Sequence, residues 1–338
     1  MSGRVFAFAL CLVAGSACDQ APAVPPPATA VQATDIDAAM RDSVIDGAIA
    51  KLRELYVFPE TAEAMALAID RRRQAGAYDS ITGGREFAAL LTTHLREVSQ
   101  DLHLRVDFTP AAVPRPSANP PNPADDAQFR SQMERTNCGF APTQILEGNV
   151  GYLKFNFFAP PTVCGPAASA AMNSLQDVDA LIIDMRVNRG GDPAMVAYVT
   201  TYLFAEPTHL NNIYNRAEDS TQEWWTLPDV PGARFVEHPV YVLTSRTTFS
   251  AAEEFSYNLR TLGRATLVGE RTGGGAHPVR GEWLNERFVI GVPFARAINP
   301  ITNTNWEGTG VQPHVDVPAA AALGRARALA TAQLADAR

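Results

Sequence analysis

The stretch PVYVLTSRTTFSAAEEFSYNLRTLGRATLVG, residues 239–269, constrains the fold of this chain more than any other. Residues 239–244 are a short run of β-branched, aromatic and aliphatic side chains, which reads as a buried strand. Ser245, Arg246, Thr247 and Thr248 make a polar turn, and an apolar-periodic helix opens at Ser250 and runs to Leu262. Gly263 stops that helix, and residues 265–268 read as a second strand. Ser250 therefore sits at a strand–turn–helix corner, close to the unpaired N–H groups of a helix start. Such a terminus favours negative charge, which a serine attacking a carbonyl must accommodate. The same serine also fits a capping box with Glu253, in which each side chain serves the other's backbone donor. The segment alone leaves both readings open.

Three further stretches carry chemistry. Asp184-Met-Arg-Val-Asn-Arg-Gly190-Gly191 follows a near-continuous apolar run and precedes a helix. Adjacent glycines let backbone N–H groups approach a ligand oxygen, as an oxyanion hole requires, and they equally suit a tight strand-to-helix turn. A serine nucleophile needs a base that is neutral near pH 7, and histidine is the usual choice. The chain has six histidines. His103, in Asp101-Leu-His-Leu-Arg-Val106, closes a helical region. His277, in Thr272-Gly-Gly-Gly-Ala-His277-Pro278, is its rival, since that loop follows the strand after the Ser250 helix. The glycine run there lacks the Lys and Ser/Thr of a phosphate-binding loop, so no nucleotide cofactor is expected. A late polar stretch, NPITNTNWEGTGVQP, contributes Glu307, an acidic residue able to support a histidine or a hydroxyl relay.

A length of 338 residues leaves room for one large or two medium domains. The formal net charge of −8 and the lack of a basic tract argue against nucleic acid as a partner. No Cys/His pair has metal-ligand spacing, so no metal is expected. Residues 1–17 read as a signal peptide: a basic start at Arg4, a modest apolar stretch and small residues at the end. Gly15-Ser-Ala-Cys18 resembles a lipoprotein box, which would make Cys18 a lipid-anchored first residue, with simple secretion as the alternative. Residues 18–34 are a Pro/Ala tether. Export gives meaning to Cys138 and Cys164, which in an oxidising compartment are candidates for a disulfide across a hairpin-like unit.

Apolar residues recur at helical spacing over 36–56, 62–73 and 85–98, so 35–108 reads as an N-terminal helical domain, with Pro59 ending its first helix. Residues 109–128 are a Pro-rich loop. Strands at 150–155, 180–185 and 288–294 and helices at 167–175 and 193–204 then make 129–322 an α/β core, closed by a C-terminal helix that starts at 319 and supplies 323–338.

Six motifs in order give the chain a likeness: LRELYVFPETAEAMALAI, GNVGYLKFNFF, ALIIDMRVNRGG, the Ser250 corner, GERTGGGAHP and NWEGTGVQPHVDV. Together they resemble the C-terminal processing (tail-specific) serine peptidases over about residues 52–318. The closer likeness is to the branch of interphotoreceptor retinoid-binding protein repeats and the tricorn protease core. The resemblance implies a crotonase-like spiral of ββα units. It also implies a peptide-hydrolysing acyl transfer, with Ser250 as nucleophile, His103 as base, Glu307 in support, and an oxyanion site at Gly190, Gly191 and Ala251. The Ser-Lys branch has a lysine after the nucleophile helix. This chain has Thr272-Gly-Gly-Gly there and no lysine after Lys154. The tricorn pattern has a serine before its histidine where this chain has Leu102. No segment is long enough for a PDZ domain. The implied partner is a peptide or protein substrate and the implied location the bacterial periplasm or cell envelope. Two other readings use the same residues: a catalytically silent module binding an apolar ligand among Phe157, Phe158, Trp224, Trp225 and Trp283, and an esterase or amidase using Ser250.

Overall fold

The computed structural model describes residues 34–112, 115 and 123–337. The signal, the Cys18 anchor and nearly all of the tether lie outside the described residues. Three helices open the described chain: α1 (Ala38–Leu55), α2 (Pro59–Gln74) and α3 (Gly84–Ser99). Asp37 caps α1, its carboxylate accepting the Met40 N–H at 2.8 Å. Pro59 ends the first helical run as expected and also begins α2, because a proline at the first helical position has no bond to lose. The helices are followed by β1 (Arg105–Phe108) and α4 (Pro123–Arg135). The loop expected over 109–128 thus gives way to helix at Pro123, where the sequence turns from Pro/Asn-rich to Asp/Gln/Arg-rich.

The core then alternates: β2 (Gln144–Leu146), β3 (Val150–Lys154), α5 (Pro161–Asn173), β4 (Ala180–Asp184), α6 (Pro193–Thr201), β5 (His209–Asn215), β6 (Ser220–Trp225), β7 (Val240–Thr244), α7 (Ala251–Thr261) and β8 (Thr266–Gly269). It ends with β9 (Val279–Asn285), β10 (Phe288–Pro293), β11 (Ala295–Ile298), β12 (Val315–Asp316) and α8 (Ala319–Asp336). This is an α/β fold with a helical N-terminal region, as the alternation implies.

The central six-stranded sheet has the order β12-β8-β7-β4-β3-β2, parallel except for β2 against β3. Every residue of β4 and β7 is buried, which explains their unbroken apolar character: both faces are covered. Residues of α5, α6 and α7, among them Met172, Val196, Val199, Phe255 and Leu259, build the larger core on one face. Ala322, Ala326 and Ala330 of α8 close the other face, small side chains spaced one helical turn apart. A second sheet, β1-β10-β9, lends Phe288, Ile290 and Val292 to the core of α1–α3. The third, β11-β5-β6, has no counterpart in the sequence expectations, because β6 is exposed at most positions and shows little apolar alternation.

Cys138 and Cys164 form a disulfide with Cα atoms 5.8 Å apart, joining the single turn Asn137–Gly139 to α5. Among the described residues no helix is long and apolar enough to cross a membrane.

Candidate active site

In parallel α/β sheets, functional loops gather at the carboxyl ends of the strands, and the loops after β4 and β7 meet there. The turn after β7 is stitched to the loop after β4. Thr248 Oγ1 donates to the Met185 carbonyl at 2.9 Å and Thr247 Oγ1 to that of Arg186 at 2.7 Å. The Phe249 N–H reaches the Asn188 carbonyl at 3.1 Å. Asn188 is fully buried; its Nδ2 donates to the Phe155 carbonyl at 3.1 Å and its Oδ1 accepts the Gly190 N–H at 2.9 Å. These bonds hold the corner so that Ser250 takes φ 57° and ψ −125°, a conformation an L-residue adopts only when its surroundings enforce it. Ser250 lines a cavity at this corner.

Glu253 ties this corner to the glycine loop. It is fully buried, and its carboxylate accepts four donors. Oε2 takes the N–H groups of Ser250 at 2.9 Å and Gly275 at 2.8 Å. Oε1 takes the Thr272 hydroxyl at 2.5 Å and the Gly274 N–H at 2.7 Å. Burial pushes its pKa up to about 7 while the donors oppose that rise. The capping-box reading of Glu253 is thus part of a larger role: the same carboxylate positions the loop that carries His277.

Gly190 and Gly191 pack against the corner in backbone conformations with φ 102° and 140°. A Cβ on Gly190 would stand 2.6 Å from Ser250 Cβ, and one on Gly191 2.1 Å from the Phe158 carbonyl oxygen. The three residues expected to form the oxyanion site differ in availability. The Gly190 N–H is engaged by Asn188, whereas Gly191 and Ala251 line a cavity of about 380 Å³ together with Ser250, Glu254, His277 and Trp306.

Both histidines come to this region. His277 lines the cavity, buried, with its Nδ1 2.6 Å from Asp101 Oδ2 and 3.6 Å from Glu307 Oε2. Asp101 is a hub that the sequence motif displayed without disclosing its role: its Oδ1 accepts the His103 backbone N–H at 2.9 Å, and its Oδ2 also takes the Tyr56 hydroxyl at 3.3 Å. His103 lies against Phe249, the residue before the serine, with ring centroids 4.5 Å apart, and next to Gly275. Its Nδ1 is buried with no partner among the described residues. Burial lowers its pKa to about 4, so it is neutral near pH 7. Leu102 points outward, 46% exposed, so it cannot orient the imidazole. Glu307 Oε2 accepts the Ala276 N–H at 2.5 Å, while its Oε1 is buried and unpaired. Burial, reinforced by the charge of Asp101, pushes the Glu307 pKa up to about 7.

Asp101, His277 and Glu307 offer donor atoms within 4.8 Å of one another, a set able to approach a cation. The 2.6 Å contact is a hydrogen-bond distance, shorter than the separation of two ligands around a common ion would be. Of the five aromatics considered for an apolar pocket, Trp224 lines the cavity; Phe158 is core, and Trp225 stacks on His209.

Residues 149–317 match peptidase family S41, and residues 30–136 match the N-terminal domain of family S41 found in eukaryotic IRBP. The chain belongs to peptidase family S41. It is a serine peptidase with an α/β fold, and peptides or proteins are its substrates. Three solved structures share the fold of this peptidase. A putative peptidase from Parabacteroides merdae is 19% identical, with a TM-score of 0.57 over 82% of this chain and 90% of that one. A lipoprotein from Streptococcus agalactiae is 12% identical, with a TM-score of 0.56 over 86% and 96%. The tricorn protease is 13% identical, with a TM-score of 0.56 over 88% of this chain and 37% of the longer one.

Proposed function

We propose that this peptidase is an exported enzyme that cleaves peptide bonds through an acyl-enzyme on Ser250. The observation that carries this reading is the Ser250 corner itself: a serine held at positive φ, at a helix start, facing the same cavity as Gly191, Ala251 and His277. Ser250 Oγ attacks the substrate carbonyl, His103 takes its proton, and the Gly191 and Ala251 N–H groups hold the oxyanion, with Gly190 shaping the approach. His103 is favoured as base because it is neutral and packed against Phe249, the nucleophile's neighbour. Two buried atoms lack partners, His103 Nδ1 and Glu307 Oε1, and both flank the Gly275–Ala276 segment. An ordered water reaching both atoms would satisfy a donor and an acceptor together, and that is the supporting role assigned to Glu307.

A second reading takes His277 as base, favoured by its place on the cavity and by the Asp101 carboxylate that orients its Nδ1. Export is supported by the disulfide and by the signal-like N-terminus, with Cys18 as a lipid attachment point.

Fluorophosphonate labelling and peptide hydrolysis test the chemistry. Ser250→Ala should abolish both with the fold retained; labelling that survives places the nucleophile elsewhere. His103→Asn should lower kcat by at least a hundredfold and His277→Asn by much less. The reverse order assigns the base to His277.

A further inference from the structure

Beside the nucleophile the cavity has an acidic, donor-seeking wall that the acyl-transfer chemistry does not use. Glu254 lies one helical turn after Ser250 on α7, and its backbone N–H bonds the Ser250 carbonyl at 3.0 Å. Its side chain is 6% exposed yet lines the cavity. Opposite it, Asn211 comes from β5 at a register shift, where it stands across from Trp224 of β6. Asn211 is completely buried, lines the same cavity, and turns its amide N–H to the Glu254 carboxylate, while its amide oxygen is left without a partner. Trp224 lines the cavity too, and its indole N–H is likewise buried and unpaired. At the exposed rim stands a second carboxylate, Glu218. Among the described residues no lysine or arginine lines this space.

A buried carboxylate and an unsatisfied amide oxygen are costly to keep unless something supplies donors. Here the supplier must enter beside the scissile bond, because Ser250, Ala251 and Glu254 share one helix start. A second acid at the mouth raises the local concentration of cations on the way in. An indole face next to a carboxylate suits an ammonium or guanidinium.

We infer that this wall is a specificity subsite for a basic side chain, lysine or arginine, of the peptide adjoining the cleaved bond, with Glu254 and Asn211 receiving its donors and Trp224 packing on its stem. The inference rests on Ser250 as nucleophile. It names the substrate class that the proposed reaction selects.

The test has two arms. In the first, the full-length peptidase digests a degenerate peptide mixture, and cleaved bonds are read by mass spectrometry. Lysine and arginine should be enriched at least tenfold at one position flanking the bond. For a matched peptide pair, the kcat/KM ratio of lysine over norleucine should fall from above ten toward one in Glu254→Gln. In the second arm, n-butylguanidine binding is followed by the rise in Tm of the Ser250→Ala protein, and Glu254→Gln introduced into that background should remove the rise. Should Glu254→Gln fail to fold, Asn211→Leu serves in both arms with the same expected loss. Cleavage without basic enrichment, or a discrimination ratio unmoved by the variant, overturns the subsite. Guanidinium binding lost on Glu254→Gln, when the unmodified protein neither cleaves peptides nor takes a fluorophosphonate label at Ser250, supports the subsite and refutes Ser250 as the nucleophile.

Discussion

Replacing Glu253 by glutamine leaves side-chain volume unchanged and alters only what the two terminal atoms can accept. In the native protein those atoms receive four donors, two on each oxygen. A carboxylate can accept all four; a glutamine nitrogen accepts none and brings two donors of its own. The least costly flip turns the amide nitrogen toward Thr272 and Gly274, since the Thr272 hydroxyl can rotate. That hydroxyl already accepts the Val311 N–H at 2.6 Å, so its freedom is limited, and the Gly274 N–H is left buried and unpaired. An orphaned buried donor costs about 1–3 kcal/mol, and each lost bond to a charged group is worth a similar amount, so the expected destabilisation is about 2–5 kcal/mol. The damage falls where chemistry occurs, because the same carboxylate holds the Ser250 N–H. Urea unfolding should show a lower midpoint at unchanged m, and fluorophosphonate labelling should slow at urea-free conditions. A stability change under about 0.5 kcal/mol would refute the reasoning. Glu253 would then be protonated in the native state, where burial pushes its pKa up to about 7, and glutamine would simply mimic that neutral form.

Three other outcomes are expected. Removing the disulfide with the double change Cys138→Ser and Cys164→Ser opens a loop of sequence separation 26, which corresponds to about 3.5 kcal/mol of chain entropy in the unfolded state; chemical denaturation reads the loss. Gly191→Ala places a methyl group against the Phe158 carbonyl at a φ of 140°, so hydrolysis should drop by at least a hundredfold and Tm should fall; near-normal rates would remove Gly191 from the oxyanion site. The third concerns pH. His103 has a folded pKa lowered to about 4 from 6.5, so the unfolded state binds the proton first and the stabilising contribution of the neutral ring, intact above 6.5, is lost as pH falls toward 4. The stability difference between the native protein and His103→Asn should therefore shrink by up to about 3 kcal/mol over that window; a flat difference would mean that the ring ionises normally.

Much of the fold is legible locally. The strand ending at Thr244, the helix after Ser250 and the apolar run at 180–184 announce themselves, because burial on both faces of a parallel strand leaves no polar positions to confuse the pattern. The β5–β6 hairpin is not legible: Asn211, Asn215, Gln222 and Glu223 face a cavity or solvent, so their polarity resembles that of a loop. For the same reason Glu254 and Asn211 carry no local signal, being polar residues whose burial depends on a partner element distant in sequence. Asp101 was in view within Asp101-Leu-His103, and the two-residue spacing to a backbone N–H was its only local signal.

The sequence by itself determined the α/β alternation of the central core, the serine at the corner, the paired glycines and the family, since each depends on neighbours a few residues apart or on motifs that recur in order. Only the tertiary structure decided which groups share a hydrogen bond. His277 and Asp101, 176 residues apart, meet because β1 pairs with β10, and the loop preceding each of the β9–β10 and β1 segments is thereby drawn to the end of β7. Proton affinity and hydrogen-bond supply are properties of a place in space, set by burial and by what packs alongside, and a linear chain does not contain them until it folds.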